Sequence, residues 1–228
     1  METQDASAEF MFKFWPWFEA NRKRLLIAVV ALVLAFFVWL FISTKQQQQE
    51  VAAGQAYTQL LLNPPPAAAT QQVADGFLQL ANRYPGTLAG QRARLQAGAT
   101  LFAAGKYADA QAQFQNFLTT EGGSPLAPQA QSGLAASLEA QGKLDDALAA
   151  YRKVVTSYPE SGDAIVAKFA QGRVLELQGK LSEAVNSYQD VTKSPLAGSL
   201  ASEAGQRIAQ IQIKLAALKP AVKPATKS

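Results

Sequence analysis

Catalysis needs a nucleophile, a proton carrier, a set of metal ligands or a cradle for phosphate, and this sequence is short of all of them. It contains no Cys and no His, which removes a thiol nucleophile, a zinc site built on those residues and a Ser-His dyad. No GxxxxGK[ST] or GxSxG run occurs, and no carboxylates pair in a recognisable catalytic setting. The densest acidic pair, Asp145-Asp146, sits where Asp would help to start a helix, and that structural role accounts for it. The expectation is a non-enzymatic protein with no cofactor, no metal and no small-molecule substrate. Absence of Cys suits an oxidising compartment without requiring one.

The residues that do recur are structural. GKYADA at Gly105–Ala110 returns as GKLDDA at Gly142–Ala147 and as GKLSEA at Gly179–Ala184, a step of 37 residues both times. At the same step lie Leu101, Leu138 and Leu175; Phe114, Tyr151 and Tyr188; Phe117, Val154 and Val191; and the small residues Gly98, Ala135 and Gly172. Self-similarity at a fixed step of this size marks stacked supersecondary units. Each unit reads as two antiparallel helices. The first carries its small residue and its Leu at i, i+3; Gly-Lys stops it; the second presents Ala and, four residues later, an aromatic on one face. Neither helix buries that face alone, so the units must stack into an all-α solenoid.

The pattern G-x2-[large apolar]…A-x3-[aromatic] resembles the tetratricopeptide repeat over roughly residues 90–193, with Tyr158-Pro159 where that family often closes its second helix. Two features depart from it. Arg94, Gln131 and Lys168 replace the first-helix Trp, which implies looser packing on that face, and the step of 37 rather than 34 implies longer turns, supplied by Gly122–Pro128 and Ser157–Asp163. The resemblance implies a concave face lined by first helices. On this chain that face would contain Leu95, Ala99 and Phe102; Ser132, Ala136 and Glu139; and Phe169, Arg173 and Glu176. Phe102 and Phe169 have a second reading, as packing between units. The Lys/Asn set with which some relatives clamp a C-terminal carboxylate is absent, which disfavours recognition of chaperone tails of the Hsp70/Hsp90 kind.

Five segments follow along the chain. Residues 1–24 form a short segment whose aromatic run, Phe10, Phe12, Phe14, Trp15, Trp17 and Phe18, suits the headgroup level of a bilayer; a docking motif for a partner is the alternative. Residues 25–44 are free of charge, and fourteen of the twenty are Leu, Ile, Val or Phe. At 1.5 Å per residue this spans about 30 Å of hydrocarbon, with a favourable insertion energy of roughly 4 to 8 kcal/mol as an upper bound. The long acidic lead and the lack of a nearby small-x-small site favour an uncleaved anchor over a signal peptide. Lys13, Arg22, Lys23 and Arg24 precede the span, whereas Lys45 is the last basic residue before Arg83. The charge bias therefore places the N-terminus in the cytoplasm and the repeats across the membrane, in the periplasm of a bacterium.

Residues 45–69 continue as a membrane-proximal helix, with Val51, Gly54, Tyr57 and Leu61 along one side, until Pro64-Pro65-Pro66 stops it. Residues 70–218 hold the repeats. Val73, Phe77 and Leu80 stand one step before Ala110, Phe114 and Phe117, so 70–84 reads as a lone second helix, and the membrane-proximal helix would complete it as a degenerate first unit joined stiffly to the anchor. A last helix over 198–218, striped by Ile208, Ile211, Leu215 and Leu218, would cap the stack. Residues 219–228, KPAVKPATKS, lack hydrophobic period and read as a disordered tail. The formal charge of +4 is uneven: 46–213 carry twelve Lys/Arg against thirteen Asp/Glu, and 214–228 carry four Lys and no acid. The repeat body is near neutral, so nucleic acid is not an expected partner.

The whole arrangement resembles the YfgM-type ancillary Sec translocon family: short cytoplasmic N-terminus, one anchor, tetratricopeptide-like domain outside. That resemblance implies a non-catalytic adaptor whose partners are translocon subunits, a membrane-anchored periplasmic chaperone or exported chains. An envelope scaffold for cell-wall or outer-membrane assembly is the alternative, and a self-assembling scaffold working through its stack ends is a third.

Overall fold

The structure, a computed structural model, describes residues 3–63 and 70–218, with side chains from Trp15 onward except Pro16. The side chains of Phe10, Phe12, Lys13 and Phe14, the Pro64–Pro66 stop and the 219–228 tail lie outside the described residues. All nine described elements are helices: α1 (Thr3–Leu62), α2 (Thr70–Arg83), α3 (Leu88–Ala103), α4 (Tyr107–Thr120), α5 (Ala127–Ala140), α6 (Leu144–Ser157), α7 (Gly162–Leu177), α8 (Leu181–Thr192) and α9 (Ser199–Leu218). They fall into two units, residues 1–51 and 52–228.

The first unit is helix throughout its described length. Its most apolar 18-residue stretch has a mean hydropathy of 3.2 and buries nothing, and Leu26–Ile42 are exposed on every side. A helix apolar all round with no protein to cover it is long and apolar enough to cross a bilayer, as an anchor or as a signal segment. Near the end of that stretch the Thr44 hydroxyl donates to the Leu40 carbonyl at 3.0 Å, which satisfies it without water.

In the second unit the helix stops are built alike. Gly105, Gly142 and Gly179 have φ of 75°, 74° and 73°, the left-handed conformation that glycine adopts without a Cβ penalty. In each turn the following Lys N–H reaches back to a Leu carbonyl: Lys106 to Leu101 at 2.9 Å, Lys143 to Leu138 at 3.0 Å and Lys180 to Leu175 at 2.9 Å. The glycine N–H bonds three residues back, to Phe102, Glu139 and Glu176. This is a Schellman stop repeated three times. Between units, Thr87 caps α3 by accepting from the Gly90 N–H at 3.0 Å, and Ser161 caps α7 by accepting from the Asp163 N–H at 3.1 Å.

From α2 to α9 each helix packs on the next, and α3, α5, α7 and α9 also touch one another in succession; among the described residues α2, α4, α6 and α8 do not. The odd-numbered helices therefore form the inner layer. Their close approach rests on small residues. Ala93, Ala130, Ala167 and Ala204 recur at 37 and are at most 1% exposed, and Ala56, one step earlier, is half-buried on the cluster of Phe77, Leu80, Ala81, Ala93 and Ala97. This series extends the repeat at both ends. Residues 52–62 pair with α2, with the Tyr57 ring 6.0 Å from that of Phe77, and so complete a degenerate first unit. At the other end, α9 is a cap that is also a fifth first helix in register.

The looser packing expected where Trp is replaced does not hold throughout. Gln131 is 2% exposed and its Oε1 lacks a partner, so that position is tightly covered. Arg94 and Lys168 instead reach polar neighbours, Asn116 and Asp190.

Candidate functional site

Three first helices place one stripe each on a common surface. Leu95, Ala99 and Phe102 on α3, Gln129, Ser132, Gly133 and Ala136 on α5, and Val166, Ala170 and Arg173 on α7 follow i, i+3/i+4, i+7 spacing. Between them lies a groove of about 420 Å³, floored by Phe114, Tyr151 and Ala167. Of the nine residues expected on this face, Leu95, Ala99, Phe102, Ser132, Ala136 and Arg173 line the groove. Phe102 is half-buried, its ring 5.1 Å from Tyr107. Phe169 is 7% exposed and packs beneath, its ring 5.2 Å from Tyr188. Glu139 and Glu176 turn toward the second helices. A separate opening of about 570 Å³ between the last turns of α1 and α2 carries Gln59, Asn63, Gln79 and Arg83; it is shallower, more polar and confined to the degenerate unit.

The groove holds one ion pair. Arg173 donates from Nε to Glu139 Oε1 at 2.7 Å and from Nη2 to Oε2 at 2.8 Å, and the Tyr151 hydroxyl donates to the same Oε2 at 2.9 Å. The Arg173 side chain is 45% exposed and that of Glu139 13%, so the cation reaches the groove surface and the anion is more deeply covered. Burial, and then the negative charge of Glu139, push the Tyr151 phenol far above its ordinary range. The hydrogen bonds that Arg173 donates to Glu139 raise its pKa against the opposing effect of burial. One unit on, the Tyr188 hydroxyl donates to Glu176 at 2.6 Å, and burial followed by that hydrogen bond raises this phenol too. Both phenols stay protonated at neutral pH and act as fixed donors. This arrangement suits binding rather than proton transfer.

Three features were not expected from the sequence. Gly133 lies under Phe114, where an added Cβ would come within 2.5 Å of the ring, and its one-step neighbours Gln96 and Ala170 give no hint of it. Val166 is 51% exposed on the groove wall, an isolated apolar residue among Arg92, Gln129 and Glu203 at the same step. The Tyr–Glu pairs had a signal: Tyr replaces Phe114 in the two units where Glu replaces Phe102.

The family model described as "Tetratricopeptide repeat-like domain" matches residues 16–221. The chain belongs to that family. Tetratricopeptide repeat-like domains are typically non-catalytic and point to protein–protein interaction. No curated protein matches the chain. Among solved structures it is similar to a variant of the nearly identical TPR-like repeats assigned to a kinesin light chain of Podosopora anserina, 15% identical over 76% of this chain and 91% of that one, TM-score 0.50. It is also similar to a tetratricopeptide repeat protein of Parabacteroides merdae, 12% identical over 75% of this chain and 66% of that one, TM-score 0.50. PcrH of Pseudomonas aeruginosa matches at 19% identity over 55% of this chain and 94% of its own, TM-score 0.49. At these identities the likeness is one of fold.

Proposed function

We propose that this tetratricopeptide repeat-like protein is a non-enzymatic, membrane-tethered adaptor that binds polypeptide in the groove of α3, α5 and α7. The observation that carries the reading is that open, mostly apolar groove in a chain whose α1 is apolar enough to span a bilayer. The basic residues before residue 25 put the N-terminus in the cytoplasm and the repeats outside it. The order of anchor and repeats favours an ancillary translocon factor of the YfgM type, with translocon subunits, a membrane-anchored chaperone or exported chains as partners. Tethering strengthens the case, because confinement beside a partner raises effective concentration to about the millimolar range. A groove of only micromolar affinity, about 8 kcal/mol, is then largely occupied.

The test is photocrosslinking in native membranes from a reactive residue at Phe102 or Val166, two large apolar groove side chains that remain accessible. Adducts with translocon subunits, a chaperone or nascent chains are expected. Adducts with cell-wall or outer-membrane assembly proteins would replace this reading with the envelope scaffold. Self-adducts from α9 with none from the groove would replace it with self-assembly.

A further inference from the structure

The groove surface carries one cation, Arg173, and the chain has already masked it. Two of the guanidinium's three nitrogens are bonded to Glu139, and the remaining lining residues are uncharged. A segment lying in the groove meets Phe102, Val166 and a run of Ala, with Ser132 Oγ buried and unpartnered below and the half-exposed Arg173 side chain at one side. These offer hydrogen bonds to a backbone carbonyl or a neutral side chain. They offer no net charge to compensate a carboxylate or an ammonium. Burying either group without a partner costs more than the apolar contacts around it return.

Resting on the binding role proposed above, we infer that the groove selects uncharged apolar segments of a partner polypeptide, and that Glu139 sets this selectivity by neutralising Arg173. Glu139 need not touch the bound segment. Selection of this kind works by rejecting the wrong ligand as much as by attracting the right one. The same guanidinium without its carboxylate would favour an acidic segment.

The experiment uses the full chain in phosphatidylcholine nanodiscs and fluorescein-labelled peptides of about twelve residues, identical except for Leu, Asp or Lys at the centre. Anisotropy is read against empty nanodiscs. The Leu peptide is expected to bind, and the Asp and Lys peptides to bind at least about tenfold more weakly. Glu139→Gln keeps an acceptor for Tyr151 while unmasking the cation; it should improve the Asp peptide several-fold, about three to ten, and leave the Leu peptide unchanged. Arg173→Met in the Glu139→Gln background should cancel that gain. Equal binding of all three peptides to the native groove, or no gain for the Asp peptide in Glu139→Gln, overturns the selectivity. Ala99→Trp, an exposed position, separates this from the binding role itself. If Ala99→Trp leaves the Leu peptide bound, or if that peptide never binds, the groove is not the site, and the inference falls with it.

Discussion

The hairpin α3–α4 and the hairpins α5–α6 and α7–α8 solve one packing problem in two ways. In α3–α4 and α7–α8 an aromatic from the second helix covers a glycine of the first, and Tyr151 and Ala135 hold the matching positions in α5–α6. In α3–α4 that aromatic is Phe114, and the residue twelve earlier is Phe102, so the contact is wholly apolar. In the other two it is Tyr151 or Tyr188, and the residue twelve earlier is a Glu that accepts the hydroxyl at 2.9 or 2.6 Å. A phenol buried this deeply needs an acceptor, and the acceptor is supplied by the unit's own first helix. The lesson is that the two positions vary as a pair. The consequence for the groove is an apolar end at α3 and a polar, internally neutralised end at α7.

The largest effect should come from the apolar hairpin. Phe114 stands over Gly98 and Gly133 together, where added Cβ atoms would lie 2.9 and 2.5 Å from its ring, so it joins α3 to α5. Phe114→Ala should cost about 3–5 kcal/mol and shift the urea midpoint followed by far-UV circular dichroism. A loss below about 1 kcal/mol would mean that the neighbours collapse into the space.

Next in size is the glycine contrast. A Cβ at Gly172 would meet the Tyr188 ring at 2.6 Å and one at Gly98 would meet Phe114 at 2.9 Å. Tyr188 is fully buried and held by Glu176, so it has less room to yield. Against a helix-propensity gain of about 1 kcal/mol for Gly→Ala, Gly172→Ala should still destabilise by about 1–2 kcal/mol, while Gly98→Ala should fall near zero. The same denaturation series checks the order, and the reverse order would show that the hydrogen bond does not stiffen the ring.

The pairing itself can be transplanted. Phe114→Tyr alone buries a hydroxyl with no acceptor and should cost about 1–3 kcal/mol. Adding Phe102→Glu should recover about 1 kcal/mol or more of it, visible as a coupling energy in a double-mutant cycle. Additive losses would show that the Tyr–Glu association in the other hairpins is incidental.

These contrasts also show what could be read from residues alone. The step of 37 was legible because GKYADA, GKLDDA and GKLSEA combine an obligatory left-handed Gly with a helix start, and a turn of that kind tolerates few substitutes. The Ala56, Ala93, Ala130, Ala167 and Ala204 series carries the same step farther, yet Ala is common and its methyl gives no pattern that stands out in an Ala-rich chain. The groove stripe was legible because the resemblance assigns the concave face to first helices, and helix period keeps Leu95, Ala99 and Phe102 together on it. It could not tell Phe169, which packs inward, from Val166, which faces out, because that depends on the rotation of α7 against its neighbours. Glu139 and Glu176 read as polar lining for the same reason: their acceptor role depends on a helix that returns twelve residues later.

The smallest effect expected is one of pH, and it isolates the polar hairpins. Tyr151 and Tyr188 have folded-state phenol pKa values raised above the ordinary 10.0. Below about pH 10 both the folded and unfolded phenols hold their protons, so their contribution to stability is intact. Above it the unfolded chain releases the two protons while the folded chain keeps them. The unfolded state then binds fewer protons, and the unfolding free energy falls as pH rises. Stability measured in urea should therefore begin to decline near pH 10, and tyrosinate absorbance from these two residues should appear only with unfolding. Tyr188→Phe should lessen that decline, because one of the two phenols no longer titrates, while leaving α3–α4 untouched. An unchanged alkaline slope in a Tyr151→Phe/Tyr188→Phe variant would assign the pH dependence elsewhere and leave Glu139 and Glu176 as ordinary surface acceptors.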